Sequence, residues 1–188
     1  MKKVKINDYP MINPTPVVIA GAFVNGKPNY ATIGAFGVVC KGPIFYISLK
    51  STHYTTIGVK ENGFFSINVP AASMVQKTDY CGMVSGRTTD KSKLFDSFCD
   101  IAGNAPLITD CTMNYLCKVV QTTSVNDFEV FFGEIVATYV NEQCLTDGKP
   151  DPLKVDPTFL MGFNYYNFGQ RIGDVFKAGN AIKNITTE

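Results

Sequence analysis

A mainly β fold, an antiparallel barrel closed or half-closed and carrying two or three short helices, is predicted by three features of this sequence. Six or more segments alternate or run apolar over lengths suited to strands. Tight turns such as Asn25-Gly26 and Lys41-Gly42-Pro43 join neighbours locally, which makes them antiparallel. Helical patterns are few, short and interrupted by glycine or proline, so they belong on the periphery of a sheet.

In chain order, Val17 to Val24 is a continuous apolar run bounded by Pro16 and Asn25-Gly26, the mark of a buried strand ending in a tight hairpin. A second strand begins near Asn29, and Ile44 to Leu49 follows the Lys41-Gly42-Pro43 turn, giving an expected three-strand meander. Ser51 or Thr52 can cap a short helix whose Tyr54, Ile57 and Gly58 face inward and which Asn62-Gly63 stops. Phe64 to Val69 is a further strand ended by Pro70, and Ala71 to Gly86 reads as a second helix with Met74, Val75, Thr78 and Cys81 on one face. Gly86 to Phe98 is polar and charged, a solvated loop with one helical turn. With little apolar content to anchor it, this loop is expected to move until an anion recruits Arg87 and Lys91. Thr112 to Thr122 and Phe128 to Asn141 carry the longest β patterns, joined by a hairpin over Ser124 to Asp127, with a bulge expected at Gly133. Asp147 to Pro157 is a proline-rich loop, and one last strand leads into an aromatic tail of Phe163, Tyr165, Tyr166 and Phe168.

The 188 residues suit one domain, 1–188, since domains usually run roughly 100–200 residues. Seventeen Lys and Arg against 16 Asp and Glu leave a net charge of +1, and no basic block interleaves with aromatics, which argues against nucleic acid as a partner. The longest apolar stretch, Val17 to Val24, falls far short of the ~18 residues that a membrane helix needs, so no membrane association is expected. Lys2, Lys3 and Lys5 ahead of that stretch imitate a leader, but Asp8, Pro10, Asn13, Pro14 and Pro16 interrupt it. The six cysteines form no C-x-x-C and have one histidine among them, so a metal site is not expected. Cys111 and Cys117 on one strand would lie ~20 Å apart at ~3.3 Å per residue, too far to bridge. Free thiols in a reducing cytoplasm fit best.

One stretch, Asn29 to Thr56, pairs a groove with an anion corner. Its first strand carries only small or short polar residues at Asn29, Ala31, Thr32, Gly34 and Ala35, so something flat could lie against the backbone. Its last residues, Ser51, Thr52, His53, Thr55 and Thr56, gather where the free N–H groups of a new helix point outward. A catalytic triad could be built only around His53, and G-x-S-x-G, the P-loop and G-x-G-x-x-G are all missing. Hard chemistry must therefore come from a bound cofactor.

Four segments occur together in order: P-T-P-V-V-I from Pro14, N-Y-A-T-I-G-A-F from Asn29, Ile44 to Ile57 leading into N-G-F-F-S-I-N-V, and G-R-T-T-D-K-S-K-L-F from Gly86, with F-E-V-F-F-G-E-I-V following from Phe128. Through them the chain resembles the flavin reductase-like, FMN-binding split-barrel proteins, most nearly their flavoredoxin branch, over about residues 10 to 140. The resemblance implies an antiparallel split β-barrel, Greek-key-like, with FMN along Asn29, Ala31, Thr32 and Ile33. It places Ser48, Leu49 and Lys50 beside the ring and ribityl chain, Thr55 with Thr52 and His53 at the phosphate corner, and Arg87 and Lys91 on a loop closing over the phosphate or a nicotinamide partner. It also implies a homodimer and an oxidoreductase moving hydride or electrons between NAD(P)H or another donor and a flavin, ferric iron or redox-protein acceptor. The alternative within the family is an electron carrier without nicotinamide-dependent activity; a non-redox ligand-binding barrel is a third class.

Each residue also has an ordinary reading. Asn29 adjoins a hairpin turn, where Asn is common. Ser51, Thr52 and Thr55 could cap and solvate a helix, and Lys50, Arg87 and Lys91 could be surface cations. His53 reads as a helix-start residue or accessory contact, with no catalytic residue assigned. The aromatic tail is core or dimer packing that could also stack on a partner's flavin.

Overall fold

The structure, a computed structural model, describes residues 1–5 and 13–172. Asp8 and Pro10, read above as breaking a leader pattern, lie outside the described residues. The elements run β1 (Thr15–Pro16), β2 (Val18–Val24), β3 (Lys27–Ile33), β4 (Phe36–Val38), β5 (Ile44–Lys50), α1 (Tyr54–Asn62) and β6 (Phe64–Val69). A 3-10 turn at Ala72–Met74 leads into α2 (Val75–Met83), and another at Lys91–Lys93 precedes β7 (Ser97–Phe98) and β8 (Leu107–Ile108). Two long strands follow, β9 (Met113–Val125) and β10 (Phe128–Val140). The chain continues through β11 (Leu145–Thr146), β12 (Lys149–Pro150), α3 (Pro152–Val155), β13 (Phe159–Met161) and β14 (Asn164–Tyr166).

Seven strands form the main antiparallel sheet in the order β3-β2-β6-β9-β10-β5-β4. Although β3 and β5 stand near opposite ends of that order, they come into contact, so the sheet curls into a half-barrel. The expected meander is corrected here. β2 and β3 do form a hairpin, with Asn25 and Gly26 both at positive φ, 51° and 73°, as a two-residue turn requires. The third strand of the expected meander, however, pairs with β10 and with the short β4 instead of β3. The chain bends after Ile33, and its next three strand residues fold back on β5.

The inside of the curl holds Val18, Ala20, Ala22, Ile33, Ile47, Leu49, Phe65, Ile67 and Phe131, with Val59 of α1 packed against them. The opposite face of β2 and β3 gives Ile19 and Tyr30 to a second cluster with Cys81 of α2, Phe95, Ile108 and Cys111. Burial on both faces explains why β2 reads as an unbroken apolar run. α1 lies so close to β2 that a Cβ at Gly58 would sit 2.9 Å from Val24 Cγ2 and 3.0 Å from Ala22 Cβ, which fixes a glycine in mid-helix despite its poor propensity. Gly63, at φ 67°, ends the helix as expected.

β9 and β10 form the expected long hairpin, with register shifts at Phe132/Gly133 and at Ile135/Ala137. The first falls beside Gly133, where a bulge is expected, but its extra residue is Val120 on the partner strand β9; the extra residue on β10 is Val136. Three readings change. The Gly86–Phe98 stretch has its helical turn but is not merely solvated, because Lys91 and Phe95 are buried. The proline-rich segment holds the β11–β12 hairpin and α3, whose Asp151 caps the first turn by accepting from Leu153 N at 3.0 Å. The final strand is a hairpin, β13–β14, completed into a three-stranded sheet by β1.

Candidate functional site

β3 is an edge strand, and α2 with the turn that follows it crosses that edge without sealing it. Between them and the start of α1 lies a cleft of about 440 Å³, within the roughly 300–1,000 Å³ of small-molecule sites. Asn29, Ala31, Thr32, Thr52, His53, Thr55, Arg87 and Lys91, eight of the twelve residues singled out above, line it together. The other four do not. Ile33 belongs to the core and lines an adjoining hollow, Leu49 is fully buried in the core, Ser48 is half-buried, and Lys50 is exposed beside Asp127 at 3.2 Å. The Lys50 backbone instead secures the corner, since its carbonyl accepts from His53 N at 2.9 Å and Thr56 Oγ1 at 2.8 Å.

Asn29 and Thr55 are a buried pair, 4% and 1% exposed. With its oxygen turned to the helix, the Asn29 amide accepts from Thr55 Oγ1 (2.8 Å), Thr55 N (3.3 Å) and Tyr30 N (3.2 Å). The reading of Thr55 as a solvated helix residue is thereby overturned: its hydroxyl and its N–H are both engaged by the β3 amide. Lys91 is likewise no surface cation, being 5% exposed. Its Nζ donates to Tyr30 O at 2.9 Å and Cys81 O at 2.8 Å, tying the loop to the β3 edge and to α2. Burial holds this amine below the usual lysine range and pushes the Cys81 thiol up.

Arg87 is exposed, its guanidinium 5.5 Å from the centre of the Tyr54 ring and Nη2 3.4 Å from Thr52 O, so it stands over the N-terminus of α1. His53 opens the helix; burial, with help from Lys91 and Lys50, moves its pKa below 6.5 and leaves the imidazole neutral near pH 7. The corner thus combines a helix N-terminus, a guanidinium and a buried ammonium, an arrangement suited to an anion.

Sequence reasoning missed the far wall, formed by Cys81 to Gly86 with Tyr54. Its signal was present in Gly82, Ser85 and Gly86, small residues that leave room along β3. A Cβ at Gly86 would overlap the Asn29 amide and lie 2.8 Å from Tyr54 Cδ1. Among the described residues no group of His, Cys, Asp or Glu is arranged to hold a metal, and no helix is long and apolar enough to cross a membrane.

A curled antiparallel half-barrel of this kind is the fold of the split-barrel flavin proteins. The chain belongs to the family described as "Flavin reductase like domain", whose profile matches residues 11–158. It is similar to the crystal structure of flavoredoxin from Methanosarcina acetivorans, with 42% identity, TM-score 0.92, and coverage of 97% of this chain and 100% of that one. Flavoredoxin of Desulfovibrio vulgaris (Miyazaki F) aligns at 30% identity and TM-score 0.88, covering 95% and 100%. The FMN reductase (NADH) RutF of Pantoea ananatis is 33% identical over 121 residues, 63% of this chain and 62% of RutF, so less than two thirds of that relative's length is matched.

Proposed function

We propose that this chain binds FMN in the β3 cleft and acts as a flavin reductase-like oxidoreductase, moving hydride or electrons between NAD(P)H or another donor and a flavin, ferric iron or redox-protein acceptor. The observation that carries this reading is the cleft itself, small-residue walls on both sides and a cationic helix corner at one end. The fit is chemical as well as spatial. Ala31, Thr32 and Gly82 keep the walls low enough for a flat ring to lie near the backbone, while Arg87, standing over the start of α1, offers a charged donor to a phosphate. Thr55 contributes by orienting the Asn29 amide, and Lys91 holds the covering loop in place with a positive charge at the cleft wall.

Bound FMN supplies the redox chemistry; the protein supplies position, charge and exclusion of water. Neutral His53 is a polar contact in this scheme, with no proton-donor role. The likeness to two flavoredoxins favours a second reading, an FMN electron carrier without nicotinamide-dependent turnover.

A homodimer accords with the apolar side chains left exposed on the long hairpin, Val120, Val125, Phe128, Val136 and Tyr139, and on the tail at Phe163 and Tyr166. Six free cysteines accord with a cytoplasmic setting. The test is flavin content of the purified protein followed by NADH and NADPH oxidation with added acceptor. FMN with turnover supports the reductase and FMN without turnover the carrier; a protein that takes up no FMN refutes both.

A further inference from the structure

Beyond Thr32, away from the anion corner, a hollow of about 340 Å³ lies between the end of β3, α2 and the β13–β14 hairpin. It shares Thr32, Gly82 and Met83 with the first cleft, so the two are continuous. Gly82 stands at the junction, where a Cβ would come to 3.3 Å from Thr32 Cβ, and its lack of a side chain keeps the passage open. A flat ring lying along β3 with its phosphate at the α1 corner would turn its far end to this hollow.

The lining limits what can enter. Val17, Ile33, Met83 and Leu160 make the walls apolar. Thr32 adds little polarity, since its hydroxyl already donates to Thr78 O at 2.6 Å. One charge is present, the exposed Asp79 carboxylate, and among the described residues that line the hollow no cation balances it. Tyr165 Oη donates to Asp79 Oδ1 at 2.7 Å; burial, with that bond, pushes the phenol up to about 12, so Tyr165 keeps its proton and adds no second charge. A lone carboxylate beside apolar walls repels anions within about a Debye length, ~10 Å at 0.1 M salt, and leaves uncharged molecules alone. The volume is near the lower bound of small-molecule sites, room for one or two rings and too little for a dinucleotide.

We infer that this hollow takes the electron acceptor as an uncharged quinone of one or two rings, and that Asp79 excludes anionic acceptors from it. The inference rests on the FMN reading above, with the ring in the first cleft. Among uncharged molecules of that size a quinone answers the redox role, being flat and carrying no charge before or after reduction. In the step itself reduced FMN gives up two electrons and two protons and returns to the oxidised form, while both quinone carbonyls become the hydroxyls of the hydroquinone.

The test uses the FMN-loaded protein with menadione and with a naphthoquinone sulfonate of the same ring system, in the parent and in Asp79→Asn. Perturbation of the oxidised flavin's absorbance gives the dissociation constants, and anaerobic reoxidation of the dithionite-reduced protein gives the rates. Asp79 lies outside the first cleft and asparagine can still accept from Tyr165, so FMN affinity stays at the parent's value and checks the fold. The expected result is that the parent favours menadione over the sulfonate by about tenfold or more in both readouts, the scale of one like-charge contact near a protein surface. Added salt narrows that gap in the parent. Asp79→Asn narrows it by improving the sulfonate alone, and removes its salt dependence. Equal handling of the two quinones by the parent, or a gap that Asp79→Asn leaves unchanged, overturns the inference. So does displacement of menadione by NAD⁺, because the hollow would then hold the nicotinamide of the donor. A protein that binds FMN but neither quinone overturns this inference alone, whereas one that binds no FMN overturns the cofactor reading beneath it as well.

Discussion

Thr55→Val removes one hydroxyl from the buried join between β3 and α1 and changes almost nothing else, since valine fills the same volume. The bond lost is the 2.8 Å contact between Thr55 Oγ1 and the Asn29 amide, two side chains that water does not reach. Removing one partner of a buried pair costs about 1–3 kcal/mol, because the group left behind keeps its desolvation without its bond. For a chain of this length each kcal/mol lowers the melting midpoint by about 2–4 °C. Thermal unfolding of the apo protein should show that fall. A double-mutant cycle with Asn29→Ala should give a coupling of about 0.5–3 kcal/mol. FMN and riboflavin affinities should drop together, because the hydroxyl acts by orienting the Asn29 amide, not by touching the phosphate. Stability equal to the parent's, or a loss confined to FMN, would refute this reasoning.

Gly86→Ala pushes a methyl onto the Asn29 amide and to 2.8 Å from the Tyr54 ring, an overpacking of about 1–3 kcal/mol. Gly34→Ala, whose methyl meets nothing nearer than Thr15 Cγ2 at 3.5 Å, should be near neutral in the same melting assay and so serves as the control. Lys91→Met leaves the Tyr30 and Cys81 carbonyls without their donor, and hydrogen exchange through residues 86–98 should quicken in the apo protein. His53 is the sole histidine, and its folded pKa lies below the unfolded 6.5. Its contribution to stability is therefore complete above pH 6.5 and is lost as pH falls through that value towards the folded pKa. Replacing it by Asn should flatten the stability profile as pH falls below 6.5, as read by denaturant midpoints.

The local parts of the fold were legible because local rules decide them. Asn25-Gly26 forms the predicted turn, Gly63 stops α1, and the register shifts next to Gly133, though the extra residue is Val120 on β9. Strand order was not, because β5 has the same apolar pattern whether it pairs with β3 or with β10; only the long strand contributed from late in the chain decides between them. The site was half legible for the same reason. Short residues on β3 and hydroxyls at the α1 start announced two walls, but Lys91 reads as a surface cation until the fold brings two carbonyls to its amine. The polar segment around it gave little sign of its depth, since only Phe95, with Leu94 packed beside the cluster, anchors it in the second core, Phe95 edge-on to Tyr30 with ring centres 5.4 Å apart.

The central claim is that the β3 cleft holds FMN with its phosphate at the α1 corner, and the direct measurement is a paired titration of the flavin-free protein with FMN and riboflavin, repeated on Arg87→Ala. The account predicts stoichiometric FMN binding and riboflavin weaker by about tenfold or more, the worth of one charge-assisted hydrogen bond. Arg87→Ala should narrow that gap by weakening FMN alone. Equal affinity for the two flavins in the parent protein, or a gap that Arg87→Ala leaves unchanged, would contradict the placement of the phosphate, and no binding of either would contradict the claim altogether.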